Sequence, residues 1–140
     1  MRTYHYKIQT STFGLFVGIT AEALPSDAPP AIGEQISDRI WLDTSQVSDT
    51  FRDMPLTLSE NETRWLRFGL EKVADQIEHA DGRYIRIVVR ALEIVEADYA
   101  EATLAPALAG WAAAEYGLTP PRGHTTLDTS TRQRTFHWDD

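Results

Sequence analysis

Cysteine is absent from the 140 residues, which excludes disulfides, thiolate catalysis and every cysteine-based zinc site. No apolar run approaches the roughly 18 to 20 residues that a bilayer-spanning helix needs, so no membrane partner is expected. The start, Met1-Arg2-Thr3-Tyr4-His5-Tyr6-Lys7, lacks the apolar core and cleavage site of a secretory leader. Also missing are the Gly-x-x-x-x-Gly-Lys-Ser/Thr phosphate loop, a dinucleotide fingerprint, a Gly-x-Ser-x-Gly elbow and a His-Glu-x-x-His zinc helix. The histidines His5, His79, His124 and His137 contain no i, i+4 pair of the kind that grips a metal from one helix face. The expectation is a soluble cytoplasmic domain with no catalytic residues, no cofactor and no metal.

What is present is ordinary globular material. Apolar residues make up 42% and charged residues 24%, the balance of a chain that folds around one core, so residues 1–140 read as one domain. The net charge is −8, from 13 basic and 21 acidic residues, and it is unevenly spread. Residues 21–62 hold nine acids against Arg39 and Arg52, and residues 93–121 hold five acids and no base. The bases gather in residues 63–92 and in the tail, as Arg122, Arg132 and Arg134. Nonspecific nucleic-acid binding rests on displacing counterions from many phosphates, which an acidic surface opposes. Free nucleic acid is therefore disfavoured, and the charge either keeps the protein soluble or meets a basic partner.

Periodicity supplies the elements. Tyr4, Tyr6 and Ile8 share one side of a strand over residues 2–9, and a second apolar run from Phe13 to Ala23 completes a hairpin. Residues 25–35 hold three prolines, Pro25, Pro29 and Pro30, and read as a loop. Ile36 to Leu42 is a short third strand, and residues 43–57 are expected to be irregular. Ser59-Glu60-Asn61-Glu62 has capping-box spacing, and Leu66, Leu70, Val73 and Ile77 paint one helical stripe. Gly69 beside that stripe would permit close packing against a sheet, and Gly82 offers a positive-φ cap. Tyr84 to Val95 alternates as a strand. Asp98 and Glu101 have the spacing of a second capping box. The Leu104, Leu108, Trp111 and Ala112 stripe is a helix that starts near Ala105, with Pro106 in its first turn and Gly117 at its end. Residues 118–131 are expected to be loop, before a late strand over Arg132 to Trp138. This order predicts an α+β fold, a mostly antiparallel four- to five-stranded sheet with two helices on one face.

The span 58–110 resembles domain IV of elongation factor G and its tetracycline-resistance relatives. Leu58-Ser59 followed by Leu66-Arg67-Phe68-Gly69-Leu70 is similar to the family's first helix, and Ile85-Arg86-Ile87-Val88-Val89 to its following strand. Ala105-Pro106-Ala107-Leu108-Ala109-Gly110 has the form of its last helix, and Glu22-Ala23-Leu24-Pro25 is similar to its Glu-Pro-Leu-Pro. The resemblance implies a fold like the second domain of ribosomal protein S5, with a left-handed β-α-β crossover against the usual right-handed rule. The family's Asp-Gly-x-x-His-x-Val-Asp-Ser-Ser loop, however, is replaced by the acidic run Glu93 to Ala102, with Ala97 at the histidine position. An acidic loop is repelled by RNA phosphates, and the chain has no GTPase motif, so a translocase is excluded.

These observations predict a non-enzymatic interaction domain whose partner is a protein or ribonucleoprotein, with a link to translation as what the resemblance implies. The contact is expected on an open sheet face carrying Arg86, Arg90, Arg132 and Arg134, and on the Glu93, Glu96 and Asp98 loop. Tyr4, Tyr6, Phe136 and Trp138 on adjoining strands would add an aromatic surface. Three alternatives stay open. An acidic immunity-type inhibitor would plug a basic protein. A small enzyme would need a pocket holding at least two of His5, His137, Asp139 and a strand carboxylate. A homodimer would bury Trp41 or Trp138 between sheets.

Overall fold

The computed structural model describes residues 1–139. The alternating N-terminus forms β1 (Arg2–Gln9), which pairs antiparallel with β2 (Gly14–Ser26) through Tyr4↔Ile19 and Tyr6↔Val17. At their junction the Thr10 hydroxyl accepts from the Thr12 and Phe13 amides and donates to the Phe13 carbonyl, closing a tight turn that fixes Phe13. After β3 (Glu34–Gln35) and β4 (Ile40–Asp43) come β5 (Val47–Asp49) and β6 (Met54–Leu56). Helix α1 (Glu60–Ala80), strand β7 (Tyr84–Ile94) and helix α2 (Leu104–Tyr116) follow, then the hairpin β8 (Gly123–Asp128) and β9 (Gln133–Trp138). The class is α+β, with two helices and mostly antiparallel strands, as expected.

The main sheet runs β1-β2-β7-β4-β3, and β4 and β7 are the parallel neighbours that α1 connects. It has seven strands, more than the four or five expected, because three short ones escape the periodicity of the sequence. The third strand is shortened to Ile40–Asp43. Glu78 of α1 accepts from the Ser37 hydroxyl and the Arg39 amide at 2.5 and 2.9 Å, which draws residues 37–39 off the ladder. Residues 43–57 are not wholly irregular: β5 lies parallel to β7 at Ser48↔Ala91 and Asp49↔Leu92, and hairpins with β6. Long β7 leaves edge that β4 does not cover, and buried Val47 fixes β5 against it.

Helix α1 begins as its sequence predicts. The Ser59 hydroxyl accepts from the Glu62 amide and Glu62 returns a bond to the Ser59 amide, a box whose serine contributes about 1 kcal/mol. Its stripe, Leu66, Leu70, Val73 and Ile77, is buried against Val17, Ile19, Ile87 and Val89 of the sheet and Leu108 and Trp111 of α2. The helix end differs from the expectation at Gly82, which does not adopt positive φ. Asp81 caps in an extended conformation, its amide bonded to Ile77 and its carboxylate to the Arg83 amide and guanidinium. Gly117 does cap α2, at φ 66°. Residues Leu104 to Ala113 are buried on every side, because alanine and glycine let neighbours approach from several directions. Gly69 meets the α2 backbone at Ala105 and not the sheet.

The late strand joins no main-sheet edge. β8 forms inside the predicted 118–131 loop and pairs only with β9, from Gly123↔Trp138 to Asp128↔Gln133. Such a hairpin is marginal alone, so its anchor matters. Phe136 is buried against Ala102 and Ala105, and Trp138 stacks on Phe68 of α1 at 5.9 Å. No described helix is long and apolar enough to cross a membrane.

Candidate functional site: a cleft at one end of the sheet

The sheet face away from the helices is the first place to look for the predicted arginines, and there they are already engaged. Arg86 donates to Asp43 at 2.7 Å, and Arg90 to Glu22 at 2.5 Å. Burial pushes the Asp43 carboxyl up, but bonds from Ser45 and Arg86 outweigh it and hold the group below its ordinary value. The Arg90 hydrogen bond likewise lowers Glu22. Glu93 lies 3.4 Å from His5, on either side of Gly18, where an added Cβ would come within 2.9 to 3.0 Å of both residues. Gly18 therefore serves close packing, and the β2–β7 register shifts two residues on, between Thr20 and Ala21.

Arg132 and Arg134 are elsewhere. Arg132 takes φ 58° in the β8–β9 turn, and Arg134 lies on β9. The four arginines thus form no common surface. Nor do Tyr4 and Tyr6 adjoin Phe136 and Trp138, since β1 and β9 belong to different sheets. The histidines fall in two places: His5 faces Glu93 on the main sheet, while His124 and His137 pair across β8 and β9 with ring centres 5.5 Å apart, His124 bonding Asp139 at 2.8 Å and His137 bonding Thr126 at 2.9 Å.

What the fold does assemble is a cleft of about 700 Å³ between the hairpin, the β1–β2 turn, the start of α1 and the loop before α2. Three of the predicted residues, Asp98, Arg132 and Arg134, line it, and Glu96 belongs to the same loop. Asp98 does not cap a helix. It lies in a 3₁₀ turn, Glu96–Asp98, and a second turn, Glu101–Thr103, leads into α2 with Pro106 in its first turn. The Arg134 guanidinium sits 4.2 Å from the centre of the Phe13 ring, with a long contact of 3.5 Å to the Thr125 hydroxyl.

The opposite wall is tied down by a polar network. Glu101 accepts from Asn61 at 2.8 Å and Ser59 at 3.3 Å, and Tyr99 donates to Glu62 at 2.5 Å. Burial first, then the Glu62 carboxylate, pushes the Tyr99 phenol well above its ordinary value, so it remains a donor. The loop before α2 is thereby fixed to the capping box of α1. Sequence reasoning missed Phe13, Tyr99 and the true partner of Glu101, since each depends on contacts 37 to 42 residues away or between separate sheets. A tyrosine within an acidic run was the one local signal.

Charge sharpens the contrast between the two surfaces. Arg2, Arg67, Arg83, Arg86 and Arg90 all have carboxylate partners. Arg132 and Arg134 make no ion pair among the described residues, although acids outnumber bases in the chain. The hairpin that carries them is held by Phe136. Replacing Phe136 with alanine is expected to raise amide hydrogen exchange across residues 123–138 while the main sheet stays protected, a local opening. Uniform loss of protection would contradict this account of the anchor. No protein-family model matches the chain, and no curated protein matches it either.

Proposed function

We propose that the chain is a non-enzymatic protein-binding domain that resembles elongation factor G domain IV, and that its partner contacts the end of the sheet where the Glu96–Asp98 loop and the β8–β9 hairpin converge. The observation that carries this reading is the placement of Arg132 and Arg134, which make no ion pair among the described residues, across a cleft from Asp98, while Arg86 and Arg90 are neutralised within the sheet face. Two helices with a mostly antiparallel sheet, and β4 and β7 parallel with α1 between them in the chain, support the resemblance. The loop before α2 is the element that the family uses for contact, and here it forms one cleft wall. Its acidic character favours a protein surface over RNA phosphates, including on a ribonucleoprotein.

The test is affinity capture from native lysate with the wild type and the double variant Arg132→Glu and Arg134→Glu. Both sites are on a surface hairpin, so the fold is expected to survive. Loss of the captured protein is the expected result, and unchanged capture overturns the placement. The inhibitor reading is favoured by the net charge of −8 and by Glu96, which is exposed on this loop. It predicts that association weakens steeply with salt, because screening shortens the reach of surface charge to about 8 Å at physiological ionic strength.

A further inference from the structure

Resting on the binding reading above, we infer that the cleft takes an extended protein segment of dipolar character, with a carboxylate for Arg132 and Arg134 and a cationic side chain for Asp98. The two walls differ in sign and in preparation. On the hairpin wall, two guanidiniums lack an ion pair among the described residues, and Arg134 is steadied by the Phe13 ring. An arginine held over an aromatic face keeps its N–H edge for an acceptor, and a carboxylate suits that planar fork. On the loop wall, Asp98 has no ion pair among the described residues, whereas Glu101 is occupied by Asn61 and Ser59. That wall therefore asks for one cation.

Size and global charge narrow the occupant. A cleft of about 700 Å³ lies in the range that holds a small ligand or a few side chains, far below what a folded domain would fill. A polyanion such as single-stranded RNA would satisfy the arginines but set its phosphates against Asp98 and a chain of net charge −8. A segment with acid and base a few residues apart satisfies both walls, and an extended backbone can lie across the gap.

The probe is a capped six-residue glycine–serine peptide with one glutamate and one lysine, titrated into the 140-residue chain and followed by two-dimensional NMR. Amide shifts confined to residues 12–14, 97–101 and 132–135 are expected. Arg132→Gln with Arg134→Gln should weaken binding at least about tenfold, and Asp98→Asn several-fold. A two-glutamate peptide that binds as well as the mixed one would overturn the dipolar assignment. So would an oligouridine that binds the same residues more tightly, or absence of shifts at millimolar peptide. Absent peptide shifts, with capture still lost on charge reversal, would remove the segment chemistry and leave the binding reading standing. Capture unaffected by charge reversal would remove the reading itself.

Discussion

Gly69→Ala is expected to destabilise the fold by roughly 2 to 3 kcal/mol. The sign is informative, because glycine to alanine within a helix ordinarily stabilises by about 1 kcal/mol. Here an added Cβ would lie 2.1 Å from the Ala105 carbonyl oxygen and 2.8 Å from its carbonyl carbon and Cα. Those atoms are backbone, so relief requires α1 and α2 to separate rather than one side chain to turn. The shift would also displace the loop before α2 and widen the cleft. Chemical denaturation reads the stability change, and an unchanged or raised midpoint would refute the close helix contact.

The second large effect concerns the sheet face. Arg86→Ala leaves the Asp43 carboxylate, whose side chain is 5% exposed, with Ser45 as its remaining side-chain partner. Breaking a fully buried pair costs about 3 to 5 kcal/mol, and the 27% exposure of the Arg86 side chain reduces this to roughly 2 kcal/mol. The pH dependence has a defined sign. A carboxyl held below its ordinary value contributes stability above about pH 4, and loses it as pH falls through the depressed folded value. Removing Arg86 raises the folded value, so the gap between wild type and variant should be widest near neutrality and narrow in acid. Thermal midpoints at pH 7 and pH 3 test this, and a gap independent of pH would show that the pair is not the cause.

Local chemistry made much of this fold legible. The capping box at Ser59 and Glu62, the α1 stripe, the alternation of β7 and the Gly117 cap each depend on neighbours within a few residues, and each stands where the sequence puts it. The expectations that failed rest on distant partners. Glu78 shortens the third strand from 39 to 41 residues away, with one local exception at the end of α1, where Arg83 clamps Asp81 two residues before it and replaces the glycine cap. β8 has no apolar alternation of its own and exists because β9 is there to pair with it. The site was legible in the same measure. Asp98, Arg132 and Arg134 could be singled out by charge, but only the folded hairpin reveals that they share a cleft and that Arg86 and Arg90 do not.

The most direct test of the binding surface is photocrosslinking in native cells. A benzoylphenylalanine placed at Gln133, inside the cleft, is compared with one at Thr3, exposed on the opposite sheet face near the Thr20 contact. The binding account predicts one protein adduct from position 133, abolished by Arg132→Glu with Arg134→Glu, and none from position 3. An adduct from position 3 alone, or one from position 133 that survives the charge reversal, would contradict it.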